Sequence, residues 1–134
     1  MHETRDWTYS TAQERRVVLK PTHAALNIAE DLMAAHTGAK AVILTSSLEE
    51  FLVSHLKKTA ETLNRIPVLV NRALRACGDA GRLGPDAMRP PHLLAAAAVQ
   101  WWAQRVLVER LLSEHSGRTM LVNWHHLRQD LLAA

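Results

Sequence analysis

The fold is decided by residues 17–54, VVLKPTHAALNIAEDLMAAHTGAKAVILTSSLEEFLVS. Short apolar runs alternate here with longer amphipathic runs, which predicts strand, helix, strand and helix in that order. Polar residues gather at the end of each predicted strand. Ligands of open α/β folds bind just outside the carboxyl ends of the strands, so we expect the functional site of this chain to lie there.

The first predicted strand comprises residues 17–19, which are apolar and mostly β-branched, as buried parallel strands are. Pairing should stop at Pro21, which has no N–H to donate. Thr22 then caps a helix, and Gly38 ends that helix in a left-handed turn. The helix is predicted to bury one face at the i, i+3, i+4, i+7 spacing. That face comprises Ala25, Ile28, Ala29 and Leu32.

Two further strands are predicted at residues 41–44 and 120–122, both short and apolar. The sequence SLEE at residues 47–50 is a capping box, in which the serine and the second glutamate satisfy backbone N–H groups at a helix start. Asn123 is placed to cap the helix after the last strand. These elements predict an α/β fold with a small parallel sheet of about three strands flanked by helices.

The longest predicted helix covers residues 92–115, after Pro91. Residues 78–91 hold three glycines and three prolines, so we expect a mobile loop before that helix. A helical break is expected at Pro67. Residues 1–14 form a polar lead-in, and the whole chain, 1–134, is predicted to be a single domain.

The composition is that of an ordinary globular protein, with 48% apolar and 22% charged residues. No apolar run approaches the ~20 residues of a membrane span, and the N-terminus does not have the pattern of a signal peptide. A single cysteine, Cys77, has no partner for an internal disulfide, so we expect a cytoplasmic protein. The net charge of +3 suits an anionic nucleotide. The sequence has no basic stripe, so nucleic-acid binding is not predicted.

Residues 20–23, Lys-Pro-Thr-His, and Ser54 resemble motifs of the sulfotransferase family, which has a P-loop NTPase-like fold. Its members transfer a sulfuryl group from 3'-phosphoadenosine 5'-phosphosulfate (PAPS) to an acceptor. In many members a Lys/His cluster ends one strand, an Arg ends the next, and a Ser follows that Arg by eight residues. Ser54 matches this Ser, and Ser46 occupies the Arg position. The resemblance covers the central and C-terminal part of such a domain.

The resemblance implies a role for each matched residue. His23 is the base that takes the acceptor proton, and Lys20 neutralises charge on the bridging oxygen. Ser46 and Ser54 hold the 3'-phosphate of PAPS, together with the helix N-terminus at Ser47. The acceptor is expected to be a small molecule or a glycan with a hydroxyl or amine group.

Two departures from the family pattern accompany these matches. Ser46 brings no charge to the phosphate, unlike the family's Arg. Residues 1–37 contain no glycine, and nothing there resembles the family's 5'-phosphosulfate loop. We therefore expect a domain without its first strand–loop–helix unit, which is inactive alone or is completed by a partner chain or a second copy.

Other interpretations of the same residues stay open. Lys20 is also typical of a surface charge, His23 of a first helical turn, and the serines of helix caps. On that basis the chain is a non-catalytic interaction module. Another P-loop-like nucleotide-binding fold is a third possibility, opposed by the missing phosphate loop. No metal site is expected, because adjacent His125 and His126 point about 100° apart on a helix.

Overall fold

The computed structural model describes residues 17–133, with the backbone but not the side chain of His23. Its strands are β1 (Ala41–Thr45) and β2 (Thr119–Asn123). Its α-helices are α1 (Ala29–Ala35), α2 (Leu48–Leu56), α3 (Ala60–Asn64), α4 (Ile66–Cys77), α5 (Gly84–Ala87), α6 (Leu93–Glu114) and α7 (Trp124–Ala133). Two 3₁₀ helices span His23–Ile28 and Ala80–Leu83.

The two strands form a parallel sheet in which Ala41 is opposite Thr119 and Thr45 is opposite Asn123. The predicted strands at 41–44 and 120–122 are confirmed, as is the α/β class. Because the pairing is parallel, the carboxyl ends of both strands lie at the same end of the sheet. Within residues 17–133 the sheet has two strands, not the three that the sequence predicted.

The prediction of a strand at residues 17–19 is wrong. These residues belong to no strand, and Val17, Val18 and Leu19 are 69%, 92% and 80% exposed. A β-branched run of this length forms a strand only where a neighbouring strand offers a ladder. In the described part of the chain, β1 and β2 pair with each other and leave this segment outside the sheet.

The helix predicted after Thr22 begins as the 3₁₀ helix and becomes α1 only at Ala29. The Thr22 side chain makes no capping bond. The predicted buried face is also wrong, because Ile28 and Leu32 are exposed and Met33 is the buried residue of α1. A 3₁₀ helix has 3.0 residues per turn, so it rotates the apolar face relative to an α-helical count. A left-handed turn is likewise not found at Gly38.

The main core lies between α4 and the long helix α6 rather than under the sheet. Small residues of α6, such as Ala96 and Ala103, let the two helices approach closely, and Trp102 packs against the same cluster. The buried members are Ile66, Val70, Ala73, Leu74, Cys77, Ala96, Ala103, Val106 and Leu107. The break near Pro67 is confirmed, with that proline in the first turn of α4.

The predicted loop at residues 78–91 contains the second 3₁₀ helix and α5. Gly78 ends α4 with φ of 71°, a left-handed conformation that favours glycine. The mobility of this segment stays a prediction.

Arg118 connects the end of α1 to the start of the sheet. Its guanidinium donates to the carbonyl oxygens of Met33 (3.0 Å), His36 (2.9 Å), Thr37 (3.0 Å) and Ala39 (3.3 Å). The last carbonyl groups of a helix have no N–H partner within the helix, so donors such as this guanidinium stabilise them. A cation at a helix C-terminus also interacts favourably with the helix dipole. Arg118 immediately precedes β2. Its side chain therefore holds the segment that leads into β1 next to the start of β2.

Candidate functional site

A cleft of about 540 Å³ opens at the end of β1, between α2 and α7. Its polar and aromatic lining comprises Thr45, Ser46, Glu50, Ser54, Lys57, Trp124 and Arg128. The parallel pairing explains the position of the cleft. The chain leaves β1 for α2 and leaves β2 for α7 at the same end of the sheet. The cleft therefore occupies the place where α/β folds bind ligands.

Helix α7 is oriented at its start by Asn123. The Asn123 side-chain oxygen accepts the backbone N–H of His125 at 2.8 Å, which confirms the predicted cap. This cap sets the first turn of α7, which carries Trp124 into the cleft. Arg128 follows one turn later on the same helical face.

Ser46 lies in the cleft wall and is half-buried. Its carbonyl oxygen accepts a hydrogen bond from Trp101 Nε1 of α6 at 3.1 Å. The residue after β1 is thus attached to the longest helix of the core. Its side-chain oxygen is in no hydrogen bond with the described residues.

Ser54 also lines the cleft, and its hydroxyl is engaged within α2. Ser54 Oγ donates to the carbonyl oxygen of Phe51 at 2.7 Å. A phosphate oxygen needs a hydrogen-bond donor, so Ser54 must rotate about χ1 before it donates to one. The carbonyl of Phe51 would keep a second partner, since His55 Nδ1 lies 2.8 Å from it.

Ser47 has a structural role in the capping box that the sequence predicted, and the structure confirms that box. Its Oγ accepts the N–H of Glu50 at 3.2 Å, and its own N–H donates to Glu50 Oε2 at 3.1 Å. Ser47 is not among the residues that line the cleft. The hydrogen bond from the Ser47 N–H lowers the pKa of Glu50, so this carboxylate is anionic at neutral pH.

The charged lining of the cleft comprises two cations and one anion. Lys57 and Arg128 line the cleft together with Glu50, whose Oε1 lies 3.4 Å from His125 Nδ1. Trp124 is 46% exposed and offers an aromatic surface beside these charges. The arrangement can bind an anion that also carries a planar, apolar group.

Sequence reasoning missed Lys57, Trp124 and Arg128. Lys57 follows Ser54 by three residues and so shares its helical face. That spacing is a usable signal. The contribution of α7 has no local signal, because it depends on the pairing of β2 with β1.

Of the two predicted catalytic residues, only Lys20 has a described side chain. Lys20 is exposed and does not line the cleft. The side chain of His23 lies outside the described residues. The structure thus brings Ser46 and Ser54 into one cleft, and it does not bring Lys20 to them.

Residues 17–133 form neither a metal-binding cluster nor a membrane-spanning helix. No group of three or more His, Cys, Asp or Glu side chains there is arranged to hold a metal ion. No helix in the same range combines the length and apolarity that crossing a bilayer requires.

No family model, curated protein or solved structure matches the chain.

Proposed function

We propose that this chain is a sulfotransferase-like protein whose strand-end cleft binds the 3'-phosphate end of PAPS. One observation carries the proposal. Ser46 and Ser54, to which the resemblance assigns the 3'-phosphate, line a single cleft together with Lys57 and Arg128. The two cations supply the charge that Ser46 lacks relative to the family's Arg.

The cleft chemistry fits a phosphorylated adenosine. Lys57 and Arg128 attract the phosphate, with Arg128 able to form two parallel hydrogen bonds to it. The exposed ring of Trp124 offers a stacking surface for the base. Glu50 opposes phosphate binding through its charge, and its contacts with the Ser47 N–H and His125 reduce that effect.

Sulfuryl transfer needs two further groups, and the resemblance implies His23 and Lys20 for them. His23 takes the proton of a hydroxyl or amine on a small-molecule or glycan acceptor as the new bond to sulfur forms. The bond between sulfur and the bridging phosphate oxygen breaks, and Lys20 neutralises the charge left on that oxygen. In the assembly that supplies the missing 5'-phosphosulfate loop, a His23→Ala variant should lose this transfer, measured with PAPS and a panel of hydroxyl and amine acceptors.

Isothermal titration with 3'-phosphoadenosine 5'-phosphate tests the binding proposal directly. We expect saturable binding, weakened about tenfold or more in Lys57→Ala and in Arg128→Ala, since a charge-assisted contact contributes about 1.5–3 kcal/mol. Arg75→Ala is the matched control, an exposed cation on α4 away from the cleft. Adenosine 5'-phosphate, which lacks the 3'-phosphate, should bind more weakly. No heat and no thermal shift at millimolar ligand would refute the proposal.

The second candidate function is a non-catalytic interaction module. It is favoured by the apolar outer face of the sheet, where Val42, Leu44 and Met120 are 61%, 55% and 56% exposed. The same titration separates the two candidates, because this module does not bind the nucleotide. We also propose a cytoplasmic location, which the single unpaired cysteine, Cys77, supports.

A further inference from the structure

Among residues 17–133, no strand pairs with the edge of β1 that lies opposite β2. The N–H of Ala41 donates to the carbonyl of Arg118 at 2.8 Å, which fixes the parallel pattern. In that pattern alternate residues, Ala41, Ile43 and Thr45, direct their backbone groups at β2. The backbone groups of Val42 and Leu44 therefore point to the opposite edge. No hydrogen bond from another residue in 17–133 reaches them.

The outer face next to that edge is apolar, and within residues 17–133 its Val42, Leu44 and Met120 side chains are 61%, 55% and 56% exposed. Val42 and Leu44 of β1 share this face with Met120 of β2, since Val42 is opposite Met120 in the register. Parallel sheets are normally covered on both faces. A two-stranded sheet with one bare face and an open edge is a template for a further strand.

The same chain carries a segment suited to that position. Residues 17–19, Val-Val-Leu, are apolar and mostly β-branched, and they are among its most exposed apolar side chains. Within residues 17–133 their side chains are 69%, 92% and 80% exposed. Pro21 follows them and limits the length of any pairing.

We propose that residues 17–19 of one copy pair with the open β1 edge of a second copy, which returns the same contact. Each chain presents both the segment and the edge, so a two-fold arrangement satisfies both at once and closes without further growth. Backbone groups of Val42 and Leu44 gain partners, and the exposed apolar side chains of both segments leave water. Leu44 also lines the strand-end cleft, so the proposal is tested by self-association and not by nucleotide affinity.

Sedimentation velocity of the full chain across a range of concentrations tests the proposal. We expect a concentration-dependent dimer. Its dissociation constant should rise about tenfold or more in Val18→Asp, because the free energy gained by burying a valine side chain is at least that of a tenfold change in affinity. Val18 is 92% exposed, so the variant should fold normally. Val68→Asp, at an exposed valine of α4, is the matched control and should dimerise as the unmodified chain does.

A mixing experiment identifies the two halves of the contact. Val18→Asp lacks a competent segment and Leu44→Asp lacks a competent edge, so each alone should be mainly monomeric. Their mixture should associate more strongly than either variant, because one intact segment meets one intact edge. A mixture that associates no better than the separate variants would overturn the proposal.

Hydrogen exchange gives a readout at the edge itself. The amides of Val42 and Leu44 should become protected as the dimer forms and should lose that protection in Val18→Asp. A chain that is monomeric at every concentration would overturn the second copy as the occupant, whether or not those amides are protected. A dimer that Val18→Asp leaves unchanged would overturn the role of the segment.

Discussion

Trp101 Nε1 donates to the carbonyl oxygen of Ser46 at 3.1 Å, a contact between residues 55 positions apart in the chain. It connects the middle of α6 to the residue that follows β1. Since α6 also forms the core with α4, this hydrogen bond attaches the wall of the cleft to the buried core. The adjacent Arg105 guanidinium lies over the Trp101 ring, 5.7 Å from its centroid.

Replacing Trp101 with Phe should loosen the Ser46 wall of the cleft. The ring is largely kept, but the carbonyl of Ser46 loses its donor, so we expect the free energy of unfolding to fall by about 1 kcal/mol. Affinity for 3'-phosphoadenosine 5'-phosphate should fall as well, measured by titration alongside urea unfolding. Trp102→Phe is the matched control, because Trp102 packs on the α4–α6 core and should change stability without changing affinity. Unchanged affinity in Trp101→Phe would show that this hydrogen bond does not support nucleotide binding.

Arg118→Ala should be among the more destabilising single changes in the chain. Four carbonyl oxygens lose a charged donor together, so we expect the free energy of unfolding to fall by about 2 kcal/mol or more in urea. Arg82→Ala is the control, since its ion pair with Asp79 is exposed and should contribute little. If both variants lowered the free energy of unfolding equally, the hydrogen bonds from Arg118 to the four carbonyl oxygens would not be important for stability.

Ser47→Ala should separate the capping role of Ser47 from the phosphate role that the resemblance assigned to it. Loss of the capping box should lower the free energy of unfolding by about 1 kcal/mol. Because Ser47 does not line the cleft, nucleotide affinity should change far less than in Lys57→Ala. An affinity loss as large as that of Lys57→Ala would instead place Ser47 in the phosphate site.

His55 should make the stability of the chain depend on pH. It is 3% exposed in α2, and burial lowers its pKa from the ordinary value of 6.5. As pH falls below about 6.5 the unfolded chain takes up this proton before the folded chain does. Stability is therefore full above that pH and declines below it, until the lower pKa of the folded state is reached.

Urea unfolding between pH 8 and pH 5 measures this dependence, and His55→Gln should flatten it. His126→Gln is the control, because His126 is exposed and should leave the decline in place. A decline of the same size in His55→Gln would assign the pH dependence to other groups.

Local patterns in the sequence predicted the elements whose stability is local. The capping box at Ser47 joins residues three positions apart, and the Asn123 cap joins residues two positions apart, so both could be identified without the fold. The two confirmed strands and α6 likewise have apolar patterns of the right length. The segment at residues 17–19 has an equally good strand pattern, and it failed because a strand also requires a neighbour.

The sequence by itself determined the α/β class, the two strands that form the sheet, the long helix α6 and the caps at Ser47 and Asn123. Only the tertiary structure decided that β1 pairs with β2, that Trp124 and Arg128 join Ser46 and Ser54 in one cleft, and that Lys20 stays outside it. The physical reason is that periodicity and capping are properties of a few neighbouring residues. They indicate which face of an element is apolar, whereas the partner that covers this face is selected by packing between residues far apart in the chain.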